Sequence, residues 1–113
     1  MTIERFGVGT RMSQAVVHGD TVYLSGQVGQ GATITEETRD ILAKVDKQLA
    51  AAGTDKSRLL SVTIWLSSMD YFAEMNAVYD AWIDPGNPPA RAAGESRLAT
   101  PDFHVEIIAI AAR

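Results

Sequence analysis

His104-Val105-Glu106-Ile107-Ile108-Ala109-Ile110 is the stretch that decides how this chain folds. It is rich in β-branched residues and contains no breaker, so it reads as a strand. Successive side chains of a strand point to opposite faces of its sheet. Val105, Ile107 and Ala109 therefore share one face, and Ile108 and Ile110 share the other with Glu106. A strand that is apolar on both sides belongs in a sheet covered on both sides. Leu59–Leu66 repeats the pattern, with Val62 and Ile64 on one face and Trp65 on the other.

The remaining elements are read outward from these two. Ser13 to His18 is a short strand, His18-Gly19-Asp20 a tight turn, and Thr21 to Val28 the returning strand. Gly29-Gln30-Gly31 breaks it. Thr33-Ile34-Thr35-Glu36 has the spacing of a capping box. The helix it opens carries Ile41, Leu42, Val45, Leu49 and Ala52 on one stripe, while Glu37, Asp40, Lys44 and Lys47 form its solvated face. Gly53 ends it. Asp70 is the expected cap of a second helix, whose buried stripe is Phe72, Met75, Val78, Tyr79 and Trp82. A stiff loop, Pro85-Gly86-Asn87-Pro88-Pro89, leads to strands near Ala90–Arg97 and His104–Ala111, joined by a turn around Thr100-Pro101-Asp102.

The order β-β-α-β-α-β-β, with room for a short N-terminal strand, gives an α/β fold: one mixed β-sheet packed on two helices. Two helices cover only one face of such a sheet. The simplest cover for the other is a second copy of the chain.

The chain has 113 residues, 46% hydrophobic and 21% charged, and reads as one domain over residues 1–113. Its net charge of −4 leaves no basic patch for nucleic acid. With no cysteine, thiolate catalysis and thiolate metal sites are excluded. Met1-Thr2-Ile3-Glu4-Arg5-Phe6 does not read as a signal segment and no stretch reads as a membrane span, so the cytoplasm is the expected compartment.

Two charges stand out in strands otherwise built for burial. Arg91 follows Pro88-Pro89-Ala90 and precedes Ala92, Ala93 and Gly94, whose small side chains let a ligand approach the backbone. A guanidinium there can fork onto a carboxylate; its plainer reading is an edge-strand residue in water or paired with Glu95. Glu106 can hold a water or move a proton; its plainer reading is a structural pair with Arg91 or Arg97. His18 sits in a turn. His104 has no acid or hydroxyl partner at a recognisable spacing, and no histidine pair has metal-ligand spacing, so no metal is expected. Gly26-Gln27-Val28-Gly29-Gln30-Gly31 looks like a phosphate loop but lacks its fingerprints. Tyr23, Trp65 and Trp82 read as core or interface residues.

Ser13-Gln14, Ser25-Gly26-Gln27, Asn76, Pro89-Ala90-Arg91 and Val105-Glu106-Ile107 together resemble the RidA/YjgF family of enamine/imine deaminases, across essentially the whole chain. The resemblance implies a chorismate-mutase-like fold and a homotrimer, with sheets facing inward, helices outside and sites between subunits. It implies cofactor-independent hydrolysis of small 2-imino acids to 2-keto acids and ammonia. Arg91 would clamp the substrate carboxylate with support from the Ala93 backbone N–H, Gly26 would line the pocket, and Glu106 would orient the attacking water. Met12 stands where the family often has tyrosine, Ala93 where it frequently has cysteine, and the loop after Gln27 is short. A trimer that binds small carboxylates without turning them over is the alternative that the same cleft would serve.

Overall fold

The connections explain why both helices land on one side of the sheet. In the computed structural model, which describes residues 2–113, the strands are β1 (Ile3–Val8), β2 (Ser13–His18), β3 (Thr21–Leu24), β4 (Leu59–Leu66), β5 (Ala90–Glu95) and β6 (Val105–Ala112). The helices are α1 (Ile34–Ala51) and α2 (Phe72–Trp82). The spatial order is β1-β2-β3-β6-β4-β5. β6 runs antiparallel to both β3 and β4, so β3 and β4 point the same way and α1 is the crossover between them. β4 and β5 are parallel, and α2 is their crossover. Both crossovers step in the same direction across the sheet; right-handed connections then place both helices on the same face.

That face holds the core. Val62, Ile64 and Leu66 of β4 and Val105, Ile107, Ala109 and Ala111 of β6 are buried against Ile41, Leu42, Val45 and Leu49 of α1 and Met75 and Tyr79 of α2. The other residues of β6 (Glu106, Ile108, Ile110 and Ala112) are only half-buried. Beside them on the uncovered face, Tyr23 is 47% exposed and Trp65 36%. The pattern apolar on both sides is therefore present, with cover on one side from the chain itself.

The local signals operate largely as expected. Thr33 caps α1, accepting from the Glu36 N–H, and the Glu36 carboxylate reaches back to the Ala32 N–H. Gly53 follows the helix with φ at 84°, and Gly19 makes the hairpin turn at 62°, conformations that side chains resist. Four expectations are corrected. Glu37 is not on a solvated face but 2% exposed. Asp70 is not the cap: the Ser68 hydroxyl accepts from the Asp70 N–H, capping a short 3₁₀ turn at Met69–Tyr71 that leads into α2. The second strand of the first hairpin ends at Leu24, after which Gln27 alone pairs with Ile107. β5 ends at Glu95 rather than Arg97.

Candidate functional site

Cross-strand partners present their side chains on the same face of a sheet. Glu106 is paired with Trp65, so it lies on the uncovered face. Arg91 is paired with Val62, and Ala93 with Ile64, so both lie on the face that carries the helices. The two charges singled out from the sequence thus stand on opposite faces of one sheet, with β4 between their strands.

Around Glu106 the chain makes room. A Cβ at Gly26 would stand 2.6 Å from Glu106 Oε2, so only a glycine lets the carboxylate lie where it does. Among the described residues that carboxylate receives no hydrogen bond and joins no ion pair. Beside Gly26 a cleft of about 320 Å³, whose lining does not include Glu106, opens between Met12, Gln14, Gln27, Val28, Lys44 and Gln48. Met12 is 54% exposed there, a thioether where a phenol would have supplied a hydroxyl.

Arg91 reaches from the edge strand toward α2. Its guanidinium carbon lies 4.8 Å from the centre of the Tyr79 ring and 5.9 Å from that of Phe72. These aromatic faces hold the cation without consuming its hydrogen-bond donors. Burial pushes the Tyr79 phenol above its ordinary range, and the nearby positive charge of Arg91 opposes that only in part. Arg91 has no ion-pair partner among the described residues, and Glu95 accepts from the Met69 N–H instead. The structural pairings offered by the plainer readings are thus not made within the chain. One turn before Tyr79, the side-chain oxygen of Asn76 is buried with no hydrogen-bond partner among the described residues.

The glycine-rich loop has a packing explanation. Gly26 leaves room for Glu106, Gly29 for Asp40 and Gly31 for the first turn of α1 at Glu36 and Glu37. The N–H groups of Gln30 and Ala32 are given to Asp40 and Glu36. A loop faced by the protein's own carboxylates is the reverse of a phosphate cradle.

His104 does have an acid partner, 67 residues away in sequence: its Nδ1 lies 2.8 Å from Glu37 Oε1. No spacing rule connects them. The tryptophans separate. Trp65 lies on the uncovered face, whereas Trp82 packs partly against the core, donates its indole N–H to Asp46 and lies under the Lys56 ammonium. His18 is exposed at the hairpin turn. Among the described residues, no group of three His, Asp or Glu side chains is placed to hold a metal ion, and no helix is long and apolar enough to cross a membrane.

Chemically, one face offers an unpaired guanidinium suited to a carboxylate, and the other an unpaired carboxylate suited to a water or a proton.

The family described as Endoribonuclease L-PSP matches the chain over residues 2–113. A RutC family protein of Haemophilus ducreyi is 40% identical over 112 residues, which is 97% of this chain and 96% of that protein. The rat protein named 2-iminobutanoate/2-iminopropanoate deaminase is 33% identical over 107 residues, covering 88% of this chain and 77% of that one. A crystal structure of a YjgF family member from Neisseria meningitidis superposes with a TM-score of 0.98 at 45% identity, covering 100% of this chain and 96% of that one.

Proposed function

The chain belongs to the RidA/YjgF family, and from that premise we propose that it hydrolyses reactive 2-imino acids to 2-keto acids and ammonia, without a cofactor, at sites formed between copies of itself in a cytoplasmic homotrimer. The observation that carries this reading is the pair of unpartnered charges on opposite faces of one sheet. A trimer in which the β5 edge of one copy lies against the uncovered face of the next brings the Arg91 of one to the Glu106 of the other. The same contact covers Tyr23, Trp65, Ile108 and Ile110, the apolar side chains the helices leave bare. The mammalian deaminases among the relatives support the reaction class.

In this mechanism the substrate carboxylate lies in the fork of Arg91, supported by the Ala93 N–H, with its imine carbon toward Glu106 of the neighbouring copy. A protonated imine carbon is already electrophilic, so the site's work is positional. Glu106, seated in the space that Gly26 leaves, accepts a hydrogen bond from a water lying between it and the substrate. As the water oxygen bonds to the imine carbon, its proton passes to the carboxylate. That proton is then delivered to the nitrogen; the carbon–nitrogen bond breaks and ammonia leaves as the remaining hydroxyl, giving its proton to the freed Glu106 carboxylate, becomes the ketone, and that proton passes on to the departing ammonia.

Imino acids generated in situ by an amino-acid oxidase, trapped as semicarbazones in competition with hydrolysis, provide the test. The wild-type protein should suppress semicarbazone formation. Arg91→Ala should lower kcat/KM about 100-fold, the cost of losing two charge-assisted hydrogen bonds. Equal semicarbazone rates with wild type, variant and no protein would overturn the reading.

A further inference from the structure

Glu106 is braced along the chain on both sides. After it, Ile107 exchanges both backbone hydrogen bonds with Gln27, at 2.8 and 3.0 Å. The Gln27 side chain is itself held, donating to Gln14 Oε1 and to the Ser25 carbonyl. Before it, the backbone N–H groups of His104 and Val105 both donate to Glu37 Oε2, at 2.7 and 2.9 Å, and the His104 ring meets Oε1 of the same carboxylate.

Glu37 is 2% exposed and lies in the first turn of α1, where the helix's free N–H groups favour negative charge. The segment from residue 96 to 104 that delivers the chain to β6 is neither helix nor strand. Glu37 therefore joins the Ser67 N–H, which donates to the His104 carbonyl at 3.0 Å, in holding the point where this irregular segment ends and β6 begins. Gly31, packed without a side chain against the backbone of Glu37, holds the helix end that carries it.

We propose that Glu37 is a positioning residue for hydrolysis: by anchoring the first residues of β6 it sets where the Glu106 carboxylate lies against Gly26. This rests on the reading of Glu106 as the group that orients water. The physical demand is strict, because a misplacement of about 1 Å can cost a rate factor of about 100. The anchor is one oxygen that accepts from two backbone N–H groups. All three partners are N–H donors or, in the ring, act as one when Nδ1 carries the proton. A glutamine keeps both backbone bonds with its carbonyl oxygen and gives its NH₂ to Nδ1 in the ring's other tautomer, whereas a leucine leaves the buried N–H groups unpaired. Two of the three bonds come from the backbone, so the anchor does not depend on the imidazole.

The test compares kcat and KM for Glu37→Leu, Glu37→Gln, His104→Ala and Glu106→Ala in the imine assay, with folding checked by circular dichroism and assembly by light scattering. Glu106→Ala should lose activity by about 100-fold, which secures the underlying reading. Glu37→Leu should then lower kcat by about 10-fold or more and leave KM within about 2-fold, because the clamp on the substrate carboxylate is untouched, and Glu37→Gln, which keeps the anchoring oxygen, should stay within about 3-fold of wild type. His104→Ala keeps both backbone bonds and should stay within about 3-fold of wild type with an unshifted pH–rate profile. A folded Glu37→Leu protein with wild-type kcat and only a lowered Tm would reduce Glu37 to a stabilising role and overturn the proposal. Full activity in Glu106→Ala would instead overturn the reading beneath it. Should Glu37→Leu not fold, Glu37→Asp decides: its shorter carboxylate cannot reach the N–H groups of both His104 and Val105, so a fall in kcat at constant KM supports the proposal and a wild-type kcat refutes it.

Discussion

The two faces of the sheet are built from the same strands and similar side chains, yet they have opposite fates. On β6, Val105, Ile107, Ala109 and Ala111 are each no more than 1% exposed beneath the helices, while Ile108 and Ile110 one residue away are half open. Ile64 is sealed, and its neighbour on β4, Trp65, is 36% exposed. Hydrophobicity does not distinguish the faces; what differs is whether the chain has an element left to cover them. The covered face puts its apolar area into folding, and the open face leaves its area uncovered by the chain itself. The charges follow the same division, with Arg91 at the rim of the covered face and Glu106 on the open one.

Substitutions that treat the faces alike should therefore have unlike consequences. Ile64→Ala removes a fully buried side chain and should cost about 2–5 kcal/mol, read as a lower midpoint of denaturant unfolding. Ile108→Asp should leave the secondary structure intact but break the proposed trimer, read as a fall in mass by light scattering. Equal losses of stability at both positions, with assembly unchanged, would erase the distinction between the faces.

Gly26→Ala sharpens the comparison further. The added methyl meets the far end of the Glu106 side chain, which can swing away at little cost to folding. Activity should drop by about 10-fold while Tm changes little, because the carboxylate is displaced rather than the core.

The smallest effect concerns neither face. Arg113 donates to Glu4 on β1, and that hydrogen bond together with the neighbouring positive charge holds the Glu4 carboxyl below its ordinary range. A carboxyl depressed in the folded state stabilises at pH values above its unfolded pKa, and the benefit fades as pH falls through the folded pKa. The Tm advantage of wild type over Glu4→Gln, small because the pair is exposed, should shrink as pH falls below the usual carboxylate range, and salt should reduce it at neutral pH.

Much of this was legible in the residues. The two-sided apolar pattern of the last strand, the stripes of both helices, the hairpin at Gly19 and the stop at Gly53 each reflect a local rule that the fold obeys. What was not legible depended on relations between distant segments. Parity within a strand puts Arg91 with Ala93 and Glu106 with Ile108, but only the register Val62↔Arg91 and Trp65↔Glu106 reveals that the two sets face apart. Glu37 occupies a helix position that looks solvated beside Asp40 and Lys44, and its burial comes from His104 and Val105, 67 and 68 residues away. Asp70 lost the capping role to Ser68 because the chain enters α2 through a 3₁₀ turn that residue type alone does not announce.

The central claim is that Arg91 and Glu106 act on one substrate from two different copies of the chain. Mixing the inactive variants Arg91→Ala and Glu106→Ala, unfolded and refolded together, tests it most directly. Sites shared between copies should recover about a quarter of the wild-type rate in an equal mixture, since a site is whole when its clamp comes from one variant and its water holder from the other. A mixture as inactive as either variant alone, despite demonstrated co-assembly, would contradict the account.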